Sequence, residues 1–241
     1  MKSKQESTRS TKGPLFLASF FLLGIGAVAA GYGALPPLFS VSYNAPALLP
    51  SLNSEKEKEP PPVHLPTPKP VKAIYMSQCV VGTPLFRDSL VEFVDNSSLN
   101  AIVIDIKDFT GKIAFPTDNP VLKDSVSPAC GAFDMKDFIA RLHEKNIYVI
   151  GRITVFQDPY YTSVHPEHAV QKTGGGVWHD FKGLSFVDVG ARPFWDYIIE
   201  IAKESYALGF DELNFDYIRF PSDGPMLEAE YTHSIGKSKQ L

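Results

Sequence analysis

Cysteine is scarce: only Cys79 and Cys130 occur in 241 residues. Two thiols exclude a disulfide-scaffolded fold and a cysteine-rich zinc site. Excess charge of one sign is also missing. The 23 basic and 27 acidic side chains nearly cancel, leaving a net charge of -4. That balance argues against nucleic acid as a partner. No strand carries a Gly-x-Gly-x-x-Gly turn, which excludes a dinucleotide site of that kind. Gly236-Lys237-Ser238 looks like the tail of a phosphate loop, but Tyr231 stands where the upstream glycine is needed. There is no internal repeat.

Apolar side chains are plentiful at 44% of the chain, enough to exclude a wholly disordered protein. Charge and proline are unevenly placed. Lys2, Lys4, Arg9 and Lys12 precede an uncharged run over 14–42. Its core, 15–35, is 21 residues long and spans about 30 Å as a helix. The reading is a basic cytoplasmic head (1–13) and a transmembrane signal-anchor (14–42), with the body exported across the cell membrane in a single-pass protein. The alternative is secretion after signal cleavage, since Ala27-Val28-Ala29 has the small-x-small form a signal peptidase requires. Residues 43–72 hold eight prolines between 46 and 70 and the patch Glu55-Lys56-Glu57-Lys58-Glu59. This composition forbids helix and reads as a disordered, Pro-rich linker in extended conformation.

The body, 73–224, alternates strand and helix, with 225–241 as a C-terminal tail. Short apolar strands are expected at 73–76, 101–106, 147–156 and 212–218. Helices are expected at 84–94, with a stripe of Leu85, Leu90, Val91 and Val94, and around Met135, Phe138, Ile139 and Leu142, with Asp134 as N-cap. A third stripe comprises Phe194, Ile198, Ile201, Ser205 and Leu208, between Pro193 and Gly209. Such alternation implies a parallel α/β architecture.

Charge gathers at the strand C-termini. Side chains alternate along a strand. Asp105 and Lys107 therefore share a face, and Asp108 opens the next loop. Ile150, Arg152 and Thr154 share a face, as do Asn214 and Asp216. In a (β/α) barrel such positions line the interior at the C-terminal rim, where active sites are built. An ordinary ion pair of Asp105 with Lys107, a neutralising role for Arg152 and a hydrogen-bonding role for Asp216 are the structural alternatives. Tyr160, Tyr161 and Trp178 offer aromatic faces on which sugars stack, or else pack their loop. His165-Pro166-Glu167-His168 and His179 lack helical spacing and a third ligand, so no metal is expected. Gly174-Gly175-Gly176 reads as a flexible turn.

The run GFDELNFDYIRFPSDG (209–224) resembles the signature of a glycoside hydrolase-like domain family related to the α-amylase clan. AIVIDIKDFTGKIAF (101–115), IYVIGRITVFQDP (147–159) and FWDYIIEIAKESYALGF (194–210) match in the same order. The resemblance implies a TIM-type barrel acting on glycans, with Asp216 at the position of the clan's nucleophile. Two departures follow. A full (β/α)₈ barrel takes about 250 residues, and 73–241 falls short of that. About the first four βα units are expected, without the fifth strand on which retaining enzymes of this clan carry the acid/base glutamate. DELNFDYI also resembles the chitinase-type DGxDxDxE motif, but Ile218 falls where that motif needs its catalytic glutamate.

The reading is a partial (β/α)₈ TIM-type barrel, behind the transmembrane helix and linker, that hydrolyses an extracytoplasmic polysaccharide or cell-envelope glycan. The expected catalytic residues are Asp216, Arg152 and Asp105. The expected substrate-binding residues are Lys107, Asp108, Asp158, Trp178, Asn214, Tyr217 and Arg219. No cofactor is expected. The partners are a glycan, the membrane through the N-terminal helix, and a second surface at the open barrel edge, whose inner face carries Ile102, Ile104 or their neighbours. The alternative function is a non-catalytic glycan-binding or cell-envelope scaffold module.

Overall fold

A computed structural model describes residues 61–234. The basic head, the apolar segment 14–42 and the linker as far as residue 60 lie outside the described residues, as do 235–241. Among the described residues no helix is long and apolar enough to cross a membrane.

Four parallel strands form one sheet in the order β1-β2-β3-β5, with β1 at Ala73–Met76, β2 at Ala101–Lys107, β3 at Tyr148–Thr154 and β5 at Glu212–Asp216. Among the described residues five helices accompany them: α1 (Gln78–Val81), α2 (Pro84–Asp95), α3 (Met135–Glu144), α4 (Pro159–Val164) and α5 (Arg192–Leu208). Two short strands, β4 (Gln171–Lys172) and β6 (Ala229–Glu230), pair antiparallel beside the main sheet. Residues 225–234 are thus tied to the body, with the His233 amide on Asp188 Oδ2 at 2.7 Å, rather than trailing as a tail.

The apolar periodicity finds its faces. Met135, Phe138, Ile139 and Leu142 of α3 are all buried, as are Phe194, Ile198, Ile201 and Ser205 of α5. They cover the face of the sheet that carries Ile102, Ile104, Val149 and Ile153. Gly209 ends α5 in the left-handed region (φ 111°), and its amide bonds to the Tyr206 carbonyl at 3.0 Å. The opposite sheet face has a small apolar floor of Ala101, Val103, Tyr148 and Ile150, closed by Leu65. The open face therefore carries the neighbours of Ile102 and Ile104, which lie under the helices.

Three expectations are corrected. The α2 stripe begins later than expected, because Leu85 is 89% exposed while Arg87 is buried. Arg87 grips Asp134 through two hydrogen bonds of 2.7 and 2.5 Å. That grip draws the Asp134 carboxylate away from the amides of α3, so it makes no side-chain cap. Residues 61–72 do not float. The Leu65 amide donates to Asp211 Oδ1 at 2.6 Å, the His64 ring stacks on Tyr206, and Thr67 meets the Tyr148 hydroxyl at 3.0 Å. A polyproline-like segment has unpaired amides, and Asp211 at the N-terminal end of β5 supplies the acceptor.

A register shift decides which residues reach which face. Asp105 pairs with Arg152, but Lys107 pairs with Ile153, so two steps along β2 match one along β3. This bulge turns Lys107 away from Asp105 and into the helix layer. Gly151 leaves room there, since a Cβ on it would collide with Ile106 of the bulge. Lys107 is fully enclosed. Its ammonium lies 2.9 Å from Asp158 Oδ2 and donates to the carbonyls of Thr154 and Val155. Asp158 is as enclosed, and its Oδ1 accepts from the Tyr161 amide at 2.7 Å as the N-cap of α4. Burial drives the lysine pKa down and the aspartate pKa up, and their mutual attraction resists both shifts.

Cys79 in α1 and Cys130 in the loop before α3 form a disulfide, with Cα atoms 4.4 Å apart. It staples the two loops at the C-terminal ends of β1 and β2.

Two outcomes follow for the purified full chain. Reduction of the disulfide, or its replacement by serines, lowers stability by about 2–4 kcal/mol, given the 51 residues that separate its ends. Melting with and without reductant reads this, and unchanged curves contradict it. Lys107→Met strands a buried carboxylate and costs about 3–5 kcal/mol in urea unfolding. Lys107→Met with Asp158→Asn loses less than Lys107→Met alone. A double-mutant loss equal to the sum of the two single losses would mean that the pair is not coupled.

Candidate active site

The open sheet face bears a polar line at its C-terminal edge. Register places Asp105, Arg152 and Asn214 side by side, with Asp216 one pleat higher beside Thr154. Tyr75 aligns with Val103, one pleat below Asp105. Four strands thus contribute one group each: Tyr75, Asp105, Arg152 and Asp216.

Arg152 is a fork between two carboxylates. Its Nη1 donates to Asp105 Oδ1 at 2.6 Å. Its Nε and Nη2 reach Asp216 Oδ2 at 2.9 and 2.8 Å. The Tyr75 hydroxyl donates to Asp105 Oδ2. The Tyr217 amide donates to Asp216 Oδ1 at 2.7 Å. The two acids differ in environment. The Asp105 side chain is 5% exposed, that of Asp216 45%. Burial lifts the Asp105 pKa, and its bonds to Tyr75 and Arg152 offset only part of that. Burial also pushes Asp216 upward, but the Arg152 and Tyr217 hydrogen bonds and the charges of Arg152 and Arg219 outweigh it. Asp216 is therefore held below the usual carboxylate range. Burial pulls the Arg152 pKa down, and its bonds to both acids more than reverse that, so its charge is fixed. Tyr75 is raised by burial and by its bond to Asp105, which fixes it as a neutral donor.

The strand stops at Asp216 because Tyr217 is left-handed, with φ 54°. This is uncommon for a bulky residue and marks local strain. The turn sets the Tyr217 ring between two guanidinium groups, 6.0 Å from Arg152 and 4.9 Å from Arg219. Arg219 is exposed and also bonds the Ser222 hydroxyl. Asn214 is exposed on the same face as Arg152.

The structure brings Asp105, Arg152, Asn214, Asp216, Tyr217 and Arg219 together at one rim. It places four other expected site residues elsewhere. Lys107 and Asp158 form the enclosed pair in the helix layer. Trp178 is buried against Phe186, with its indole N–H on the Pro225 carbonyl at 3.1 Å. Asp108 turns back on its own loop and accepts from the Thr110 amide at 2.9 Å. Tyr161 is buried against Phe194 and Tyr197 rather than offered to a sugar. Tyr75 was missed because nothing local marks it. Only the register of β1 against β2 brings it to Asp105.

Residues 73–240 match the model of the family described as "Putative glycosyl hydrolase domain". The crystal structure of a hypothetical protein from Ruminiclostridium thermocellum ATCC 27405 aligns with a TM-score of 0.61 at 32% identity, covering 67% of this chain and 82% of that one. α-L-Fucosidase isoenzyme 2 from Paenibacillus thiaminolyticus aligns with a TM-score of 0.48 at 16% identity, over 60% of this chain and 23% of that one. The maltogenic α-amylase AmyB from Thermotoga neapolitana gives a TM-score of 0.44 at 18% identity, over 60% and 38%. The chain thus spans well under half of either enzyme. No curated protein matches it. With a family model covering most of the body and a relative at 32% identity over two thirds of the chain, this protein belongs to the glycosyl hydrolase domain family that the model defines.

Proposed function

We propose that this protein is a membrane-anchored glycoside hydrolase module that acts on an extracytoplasmic polysaccharide or cell-envelope glycan. The observation that carries the reading is Asp216, held ionised by the Arg152 fork at the C-terminal end of β5 and open to solvent on one side. An ionised carboxylate there stabilises an oxocarbenium-like transition state, as electrostatic partner or as nucleophile. Asp105 and Tyr75 position Arg152. Asn214, Tyr217 and Arg219 border the same opening and supply donors for sugar hydroxyls and a ring for stacking. Hydrolysis also needs a proton donor. At the C-terminal edge of this face Asp105 is the other carboxyl among the described residues, but Tyr75 and Arg152 occupy its oxygens, and Glu212 lies at the opposite end of β5, where it accepts from the Tyr148 hydroxyl. A donor from outside residues 61–234 fits the chemistry better.

The four strands read as the first part of a TIM-type barrel. β5 pairs only with β3 among the described residues, and Phe215 and Ile218 beside it are 43% and 65% exposed. An unpaired edge with apolar neighbours supports association with further strands. The basic head before 14–42 supports an anchor with the body outside the cytoplasm. The Cys79–Cys130 bond supports an oxidising compartment. A non-catalytic glycan-binding module is the second reading, favoured by the occupied oxygens of Asp105.

Asp216→Asn keeps shape and removes the charge. On α- and β-glucans the full chain with this change loses about 10³-fold in kcat, with its melting curve nearly unchanged. An active but destabilised Asp216→Asn protein would make the residue a scaffold element. Glycan binding without hydrolysis by the unaltered protein would select the second reading.

A further inference from the structure

The turn after α4 gathers three metal-ligating side chains from four consecutive residues. Pro166–His168 forms a single 3₁₀ turn with His165 as its N-cap. Residues i and i+3 of a 3₁₀ turn eclipse. His165 and His168 therefore stand on one side, with Glu167 beside them. Nδ1 of His165 lies 3.4 Å from Glu167 Oε1, and Nε2 of His168 lies 3.8 Å from the same oxygen. All three ligand atoms fall within 4.8 Å of one another. Ligand atoms around a tetrahedral zinc ion, at bonds of about 2.0–2.1 Å, stand roughly 3.3–3.4 Å apart. The two separations to Glu167, 3.4 and 3.8 Å, are near that spacing, and the third lies within 4.8 Å.

A second, independent feature orients the trio. The hydroxyl of buried Tyr161 sits 3.0 Å from His168 Nδ1, which turns Nε2 toward Glu167. A hydrogen-bonded second nitrogen is the usual support of a ligating imidazole. The Tyr161 ring also packs on His165, with centroids 4.6 Å apart. From the far side, His233 Nε2 donates to the Glu167 carbonyl at 2.9 Å.

We propose that His165 Nδ1, Glu167 Oε1 and His168 Nε2 form a binding site for one divalent transition-metal ion of the zinc class. Two imidazoles and one carboxylate suit such an ion and leave a coordination position open for water or a ligand. Other candidate ligands are engaged elsewhere. Cys79 and Cys130 are bonded to each other. His143 bonds Asp211 Oδ2 at 3.0 Å, and both Asp211 oxygens also accept backbone amides. His165 and His168 also line a cleft of about 480 Å³ that includes Tyr160, Asp196 and Glu200. The site is separate from the Arg152 rim and stands or falls without the glycosidase reading. The sequence expectation of no metal assumed helical spacing. A 3₁₀ turn supplies the same juxtaposition with a spacing of three.

The test is equilibrium dialysis of the full chain, purified without a histidine tag and stripped with chelator, against zinc chloride. The expected result is one zinc per chain, with cobalt(II) giving visible d–d absorption at the same stoichiometry. Glu167→Gln changes an exposed side chain and is expected to weaken zinc affinity about 10–100-fold or more, with the circular dichroism spectrum unchanged. His165→Ala gives the same loss. Substoichiometric zinc in the unaltered protein, or full affinity retained in Glu167→Gln, would overturn the assignment.

Discussion

The polar rim depends on one cation, Arg152, reaching across three strands. A guanidinium presents donors in a fixed planar fork, and here one arm meets Asp105 of β2 while the other meets Asp216 of β5. The fork works only because the sheet is in register: Asp105, Arg152 and Asn214 are level, and Asp216 is one pleat above. A slip of one residue in β5 would point Phe215 at the arginine and Asp216 into the helix layer. On the helix side of β5, Leu213 packs against the core that holds Val149 and Ile153, which opposes such a slip.

The bulge in β2 separates two ion pairs of different character. Without it Lys107 would share the face of Asp105 and bring a second cation to the rim. With it Lys107 is enclosed with Asp158, where it ties β2 to the N-cap of α4. An enclosed pair contributes little net stability over apolar packing, yet losing one partner is costly. The pair therefore fixes the loop above β3 more than it strengthens the fold. The Arg152–Asp216 pair is half open, so its carboxylate faces both its counter-charge and whatever enters from solvent.

Much of this was legible in the sequence, for physical reasons. The four apolar strands and the stripes of α3 and α5 follow from burial on one face. The convergence of Asp105, Arg152, Asn214 and Asp216 follows from strict alternation along three strands. What failed was whatever alternation does not encode. The bulge that redirects Lys107 leaves no trace in the spacing of AIVIDIK. Asp134 has the right position for a cap, but a buried arginine from α2 outbids the helix amides. Prolines at 61–72 suggested a free linker, whereas the acceptor that docks it, Asp211, lies far along the chain. His165 and His168 lack α-helical spacing, and the 3₁₀ turn that brings them together does not need it.

Carboxyl-carbon NMR titration of Asp216 tests the central claim most directly, in the full chain and in Arg152→Gln. If the fork holds this acid ionised, Asp216 titrates below the ordinary aspartate range of about 3.9 in the unaltered protein and rises when the guanidinium is gone. An Asp216 carboxyl that titrates at the same pH in both proteins would contradict the account.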